Sequence, residues 1–388
     1  MNHQYQKNAK IVHAADKWAT LIVVIAFTAT ILTYLFTFEI IRSVTILVVF
    51  CPCALVLATP TVIMASIGNL TKYGVLVRDG KAIEELSKVS EIIFDKTSTL
   101  PYGKLKITKV IGDEYAIYLL TSLESKSEHP IAKSIVKHFD FEKLAEVNDF
   151  KVHIGGGITG TIDGNKIVAG NKKLLKSENI DLKYSDENLN GEIEIFVAKT
   201  NEIIGKVQLW DTLRSDSVKT IDKLKDLGLK TTLLTGDNEI TGKTIQKESN
   251  ISNAKFNCLP EDKTKYIENQ QLNGIKVSMI GDGINDAPSL KKANVGISMG
   301  GIGSDISINA SNITLMKDNI NDVPHLFKIS RKTINVININ ITFSLGLNIL
   351  AMILAIFGII EPIIGALIHN IGSVIVIIYS STLTRYKS

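Results

Sequence analysis

The sequence predicts an α/β protein, an open parallel sheet interrupted by an inserted α+β domain and carried on four transmembrane helices. Three observations predict it. Short apolar runs end in acidic residues at three places, a long segment of different texture separates the first from the other two, and apolar stretches long enough to span a membrane flank the whole.

The acid-ended runs come first. Glu91-Ile92-Ile93-Phe94 leads into Asp95-Lys96-Thr97-Ser98-Thr99-Leu100, and Lys230-Thr231-Thr232-Leu233-Leu234 into Thr235-Gly236-Asp237. Lys276-Val277-Ser278-Met279-Ile280 leads into Gly281-Asp282-Gly283-Ile284-Asn285-Asp286. A single Asp at a strand end is usually a turn or capping residue. Three such ends mark the carboxyl edge of a parallel sheet, where open α/β folds do chemistry. Asp95, Asp237, Asp282 and Asp286 are expected to converge there, and their mutual repulsion calls for a hard, oxygen-seeking cation such as magnesium. One carboxylate can attack a phosphoryl group, Lys96 can neutralise the transferring oxygens, and Asp282 can hold the metal.

The spacing of these runs requires an insertion. Residues 86–106 begin the catalytic domain, 107–208 form the inserted domain, and 209–320 return to complete the first sheet. Ser215 to Leu227, with Val218, Ile221, Leu224 and Leu227 on one face, supplies a covering helix. Within the insertion, Ser127-Glu128-His129-Pro130 opens a helical segment reaching His138, Pro130 suiting its first position. A neutral His129 ring there can stack on or hydrogen-bond an adenine. Gly155-Gly156-Gly157-Ile158-Thr159-Gly160 follows, where absent side chains let backbone approach a nucleotide. Its G-x-G-x-x-G spacing is weak evidence by itself, and a glycine-rich turn without function fits equally. The flanks, Phe150 to Ile154 and Thr161 to Val168, are expected to be strands, which disfavours a dinucleotide fold, and no Walker A sequence occurs.

Of 388 residues 45% are hydrophobic, and the mean hydropathy is +0.18, high for a purely soluble chain. Four stretches qualify as membrane spans: about Trp18 to Phe36, Ile40 to Ile63, Ile341 to Ile360, and Ile363 to Leu383. They form two hairpins, in residues 1–85 and 321–388, joined by Thr37-Phe38-Glu39 and Glu361-Pro362. Lysines and arginines lie at the opposite ends, at Lys7, Lys10, Lys17, Lys72, Arg78, Arg331, Lys332, Arg385 and Lys387. That asymmetry puts both termini and the central region in the cytoplasm of a multi-pass membrane protein. A polar segment ahead of the first span argues against a signal peptide. The net charge of +4, with no basic stripe interleaved with aromatics, excludes nucleic acid as a partner. Three cysteines exclude a disulfide scaffold.

Two of those cysteines flank a proline inside the second span, as Cys51-Pro52-Cys53. Residues two apart point to nearly opposite sides of an ideal helix, but a helix broken at Pro52 can turn both sulfurs and a freed carbonyl toward one ion. Thiolates favour soft or borderline metals, copper(I), zinc or cadmium. Either cysteine alone is better read as apolar packing. Pro60 is expected to break the same span again, and Cys258 is read as structural. Deeper polar residues, Asn348, His369, Asn370 and Ser373, face a pathway or a neighbouring helix.

Together these residues resemble the heavy-metal-transporting P-type ATPases, the P1B group. The motifs are Cys-Pro-Cys at 51–53, Asp-Lys-Thr-x-Thr from Asp95, Ser-Glu-His-Pro ending at Pro130, Thr-Gly-Asp at 235–237 and Gly-Asp-Gly-Ile-Asn-Asp-Ala-Pro from Gly281. The resemblance implies a haloacid-dehalogenase-like phosphorylation domain, with the insertion binding ATP. It implies Asp95 as the phosphorylated residue, magnesium on Asp95, Thr97 and Asp282, and Lys263 at the phosphoryl group. Lys96, Thr235, Gly236, Asp237, Asn285 and Asp286 complete the catalytic set, and Glu124, His129, Gly155 and Gly157 hold ATP. Cys51 and Cys53 would bind the transported transition-metal ion, with Asn348, His369 and Asn370 on its path, in the cell membrane.

The chain departs from the family pattern in three ways. Ser98 stands where the family has glycine. No Thr-Gly-Glu occurs, so the expectation is a C-terminal part of a pump whose actuator domain a separate chain supplies, or a fragment. The copper and zinc signatures of the last spans are both missing, Asn348 and Asn370 standing at the zinc-type Lys and Asp positions, which removes both charges while keeping polarity; His369 nearby favours a borderline divalent metal such as zinc, cadmium or cobalt over copper(I). Two alternatives are a membrane-tethered haloacid-dehalogenase-type phosphatase and a non-cycling metal-binding or regulatory subunit. Such phosphatases carry a general-acid Asp two residues past the nucleophile, where this chain has Thr97.

Overall fold

In the computed structural model the described residues are 10–50, 53–96, 101–153, 155–181, 192–213, 215–281, 286–300 and 305–387. They divide into two compact units. One comprises Met1–Asp95, Lys219–Thr232 and Leu259–Ser388, the other Lys96–Val218 and Leu233–Cys258.

The chain opens with α1 (Lys10–Thr37), α2 (Ile40–Val49) and α3 (Cys53–Lys72), followed by β1 (Val75–Val77), α4 (Gly80–Ser87) and β2 (Glu91–Asp95). The second expected span is thus two helices, α2 stopping at Val49 with Phe50 as its cap and α3 starting at Cys53. Cys51 and Pro52 lie outside the described residues. Pro60, expected to break the span again, does not end α3. Thr61 Oγ1 donates to the carbonyls of Leu57 at 2.7 Å and Ala58 at 3.1 Å, replacing part of the bonding that a mid-helix proline disturbs.

The second unit is built on a sheet of order β3-β8-β7-β6-β5-β4, every neighbouring pair antiparallel. Its elements are β3 (Pro101–Gly112), α5 (Glu114–Glu124), α6 (Pro130–Phe139), β4 (Asn148–His153), β5 (Gly157–Ile162), β6 (Asn165–Gly170), α7 (Lys172–Ser177), β7 (Ile193–Lys199) and β8 (Glu202–Leu213). Successive strand residues face opposite sides. Ile195, Val197, Val207 and Leu209 accordingly pack with Leu119, Leu120 and Leu123 of α5 and Ile135 of α6. Phe196 and Ala198 pack with Leu174 and Leu175 of α7 on the other side. The entering and leaving strands pair from Pro101↔Leu213 to Gly112↔Gly205, so the sheet reaches past 107–208 at both ends. The strand expected over Thr161 to Val168 is instead a hairpin. Asp163 (φ 48°) and Gly164 (φ 75°) are both left-handed, the backbone of a tight two-residue turn.

The chain continues through α8 (Ser215–Asp226), β9 (Lys230–Leu234), α9 (Glu239–Ser249), β10 (Asn253–Lys255), α10 (Pro260–Leu272), β11 (Val277–Gly281), α11 (Ala287–Lys292), β12 (Val295–Met299), α12 (Asp305–Ala310) and β13 (Ile313–Leu315). The main sheet has the order β1-β13-β12-β11-β2-β9-β10. β11 is parallel to both β2 and β12, β12 is parallel to β13, and β1 closes the edge antiparallel to β13. β2, β11 and β12 are buried along their whole length, which is why they read as continuous apolar runs rather than alternating ones.

The last elements are α13 (Asp322–Ile356), α14 (Pro362–Ser381) and a 3-10 turn at Thr382–Arg385. Among the described residues two helices are long and apolar enough to cross a membrane, Asp322–Ile356 and Pro362–Arg385. The third expected span, about Ile341 to Ile360, is the outer part of a much longer helix. At 35 residues α13 measures about 52 Å against an apolar thickness of ~30 Å.

Helices α1, α2, α3, α13 and α14 pack together with their polarity inverted. Large apolar side chains such as Phe36, Leu350, Ile363 and Ile378 point outward and are exposed, while Ser43, Thr45, Thr59, Ser66, Asn340, Ser344, Asn348, His369 and Ser380 are buried between helices. That is the pattern of a bundle solvated by lipid, where small and polar residues hold helices together. At one end of the bundle Asn69 Nδ2 donates to the carbonyls of Leu383 (2.9 Å) and Tyr386 (2.8 Å). Its Oδ1 therefore accepts from His325 Nε2 at 2.9 Å, and the His325 ring lies against Tyr73 with centroids 4.1 Å apart. Helix α4, which leads directly into β2, packs against α13, and Gly80 at its start leaves room for Ile63 of α3.

Candidate active site

In the first unit the acidic edge is assembled by strand register. Phe94 lies opposite Ile280 in the parallel β2–β11 pair, so Asp95 and Gly281 end neighbouring strands at the same edge. Asp95 is buried, as is Asp286, which caps the start of α11. A side chain on Gly281 would come within 3.0 Å of the Asp286 carboxylate, so glycine there lets that carboxylate fold back over the strand end.

Lys263, in the first turn of α10, joins the two acids. Its Nζ donates to Asp95 Oδ1 and, over 2.8 Å, to Asp286 Oδ1. Burial alone would lower the Lys263 pKa, but the two carboxylates outweigh it and hold the ammonium above the ordinary lysine value. Two carboxylates and one ammonium leave a net negative, oxygen-lined site, which fits a hard divalent cation. The helix carrying Lys263 is fixed at its start, where Asp262 accepts from the Leu259 N–H at 3.0 Å. Thr264 and Ser289, 3.0 Å apart, tie α10 to α11. Thr97, Asp282 and Asn285 lie outside the described residues.

In the second unit Lys96 pairs with Asp237 at 3.1 Å. The Thr235-Gly236-Asp237 loop is braced from within, Thr235 Oγ1 accepting from the Asp237 N–H at 3.1 Å. It is also tied to the segment after β10, Asn257 N donating to Asp237 O and Cys258 N to Thr235 O. A positive side chain beside a buttressed acid is suited to hold polyphosphate oxygens and their counter-ion.

The residues expected to hold nucleotide lie on the inserted sheet and its helices. Glu124 ends α5 and is buried, and desolvation pushes its pKa up to about 7. His129 caps α6, its Nδ1 accepting from the Ile131 N–H at 3.2 Å, which in the neutral ring places the proton on Nε2. The exposed ring is free to stack. Gly155 is left-handed (φ 68°), and a Cβ on Gly157 would fall 2.2 Å from the Ala169 carbonyl, so β5 and β6 meet this closely only with glycine.

Sequence reasoning missed Asn171. Its Nδ2 donates to Gly155 O at 2.9 Å while its Oδ1 accepts from Lys173 N and Leu174 N, both at 3.0 Å. One side chain therefore caps α7 and clamps the glycine turn. The available signal was an Asn directly before a helical run, a capping position.

In the bundle, Asn348 and His369 are buried on α13 and α14. Asn370, one residue and ~100° further round α14, is exposed, so the structure does not bring it to His369. The side chains of Cys51 and Cys53 lie outside the described residues.

Residues 91–294 match the haloacid dehalogenase-like hydrolase family. The chain is 38% identical over 362 residues to a probable cadmium-transporting ATPase of Listeria monocytogenes, covering 87% of this chain and 51% of that one. It is 34% identical over 354 residues to a copper-exporting P-type ATPase of Staphylococcus saprophyticus, covering 89% and 44%. The crystal structure of a zinc-transporting PIB-type ATPase in the E2.Pi state superposes with a TM-score of 0.81 at 26% identity, over 97% of this chain and 66% of that one. The chain spans about half the length of the curated relatives it matches.

Proposed function

The chain belongs to the haloacid dehalogenase-like hydrolases and, among them, to the heavy-metal P-type ATPases, and from that premise we propose that it takes the phosphoryl group of ATP onto Asp95 to drive a transition-metal ion across a membrane. The observation that carries this is the placement of Asp95: a buried carboxylate at a strand end, held by Lys263, which Asp286 shares.

In the proposed step an Asp95 carboxylate oxygen attacks the γ-phosphorus, the bond to the β-phosphate oxygen breaks, and ADP leaves. Lys263 fixes the attacking carboxylate, and Lys96, oriented by Asp237, meets the negative oxygens in flight. Asp95, Asp282 and the Thr97 carbonyl would hold magnesium, which when bound neutralises phosphoryl charge. Glu124, His129 and the Gly155–Gly157 turn clamped by Asn171 would receive the adenosine part of ATP.

The cargo is proposed to bind at Cys51 and Cys53, between α2 and α3, as a zinc- or cadmium-like divalent ion, with copper(I) the other outcome of a metal screen. The inverted polarity of the bundle, together with lysines and arginines that, Arg42 apart, lie at one set of helix ends, supports a multi-pass cell-membrane protein with both termini cytoplasmic.

The test is phosphorylation of the detergent-purified chain by radiolabelled ATP and magnesium, with zinc, cadmium or copper(I). Acid-stable, hydroxylamine-sensitive label that requires a metal and vanishes in Asp95→Asn supports the proposal. Label that survives Asp95→Asn, or no label with any metal, rejects it.

A further inference from the structure

We propose that the seam between α3 and α13 is a hydrated polar path leading from the Asn69 end of the bundle to the middle of the membrane, with Thr59 and Ser344 as its water-binding stations. Three buried side-chain oxygens or nitrogens lack a hydrogen-bond partner among the described residues, and two of them, Thr59 Oγ1 and Ser344 Oγ, belong to this seam. Other buried hydroxyls of the bundle find partners, Ser43 Oγ donating to the Thr30 carbonyl of α1 at 3.3 Å. Thr45, Thr61, Ser373 and Ser380 each donate to a carbonyl one turn back, and the Ser66 and Thr333 hydroxyls bond each other. Thr59 and Ser344, 1% and 2% exposed, have no such partner, and a buried hydroxyl without one is costly unless water supplies it.

Helix geometry aligns these groups. Ser66 and Thr333 fix the level at which α3 and α13 meet, their hydroxyls 2.6 Å apart. Thr59 lies seven residues before Ser66 and Ser344 eleven after Thr333, which at ~100° per residue keeps each within about 20° of the contacting face. Counting ~1.5 Å per residue from that contact, Thr59 and Asn340 stand about 10 Å along, Ser344 about 16 Å, and Asn348 about 22 Å, near the level of the Cys53 backbone. Asn340 Nδ2 donates to Ser380 Oγ at 2.9 Å, adding α14 to the first of these levels. Asn340, Ser344 and Asn348 repeat every four residues on the buried stripe of α13. No step between successive polar groups exceeds about 10 Å along the axis, a distance that two or three hydrogen-bonded waters cover.

The seam ends at the Asn69–His325 pair.

The test introduces single cysteines into the full-length chain in lipid nanodiscs, with Cys51, Cys53 and Cys258 changed to Ser. Thr59→Cys and Ser344→Cys are compared with Leu350→Cys and Ile378→Cys on the outward faces, using a cationic methanethiosulfonate that reacts only with hydrated thiolate. The seam thiols are expected to react at least about tenfold faster than the outward ones. Equal rates overturn the path.

Discussion

The Lys263 ammonium stands 2.8 Å from Asp286 Oδ1 while donating to Asp95 as well, so one buried cation holds together the acids that end β2 and follow β11. Removing it takes the shared cation away from both buried carboxylates. Lys263→Met is expected to abolish label on Asp95 and to cost about 3–5 kcal/mol of stability in urea unfolding. Lys263→Met/Asp286→Leu should recover much of the stability and none of the label, which separates the structural from the chemical role.

Gly281 tests the same site by volume. Gly281→Ala puts a methyl 3.0 Å from the Asp286 carboxylate, which must move and take its bond to Lys263 with it. The phosphorylation rate should fall about tenfold or more, since small displacements of catalytic groups are costly, while the melting temperature changes little. A full-rate variant would show that Asp286 need not be so close.

Glu124 predicts a pH dependence with a definite sign. Its carboxyl is neutral in the fold up to about pH 7, whereas the ordinary value is 4.5. Between those values the folded state binds the proton that the unfolded state has lost, so stability falls as pH rises through the window and stays lower above it. The loss amounts to about 3 kcal/mol by pH 8, at ~1.4 kcal/mol for each tenfold. Glu124→Gln, which cannot ionise, should unfold at higher urea than the native chain at pH 8 and nearly equally at pH 4.5.

Asn171 makes two separable contributions. Asn171→Asp keeps the oxygen that caps α7 but loses the donor to Gly155, whereas Asn171→Ala loses both. The Asp variant should hold its stability and bind ATP about tenfold more weakly, the Ala variant should lose ~1 kcal/mol in addition. Calorimetric titration with ATP, beside thermal unfolding, reads both.

Much of this architecture was legible in the sequence because its signals are local. Fully buried parallel strands read as unbroken apolar runs, and an acid at the end of β2 or after β11 is visible without knowing its neighbours. What was not legible depends on partners distant in the chain or on the side of a helix. Asn171 is an ordinary cap until Gly155 is seen above it. Asn370 and His369 are adjacent in sequence, yet only one faces inward. Pro60 would end most helices, and nothing before folding shows that the Thr61 hydroxyl takes over the neighbouring carbonyls. The Asp163-Gly164 turn was missed because the apolar residues around it outweighed a turn signal that the sequence does carry.

Helix α13 is one uninterrupted rod more than half again as long as a bilayer's oily interior. It touches α4, the segment that hands the chain on to the strand bearing Asp95, and along its length it bears Ser344 and Asn348. A stiff beam with no joint cannot shift at one end and stay still at the other. Displacing α4 therefore tilts or slides the membrane groups without any intermediate messenger, and a joint such as a glycine pair placed midway along α13 would uncouple them.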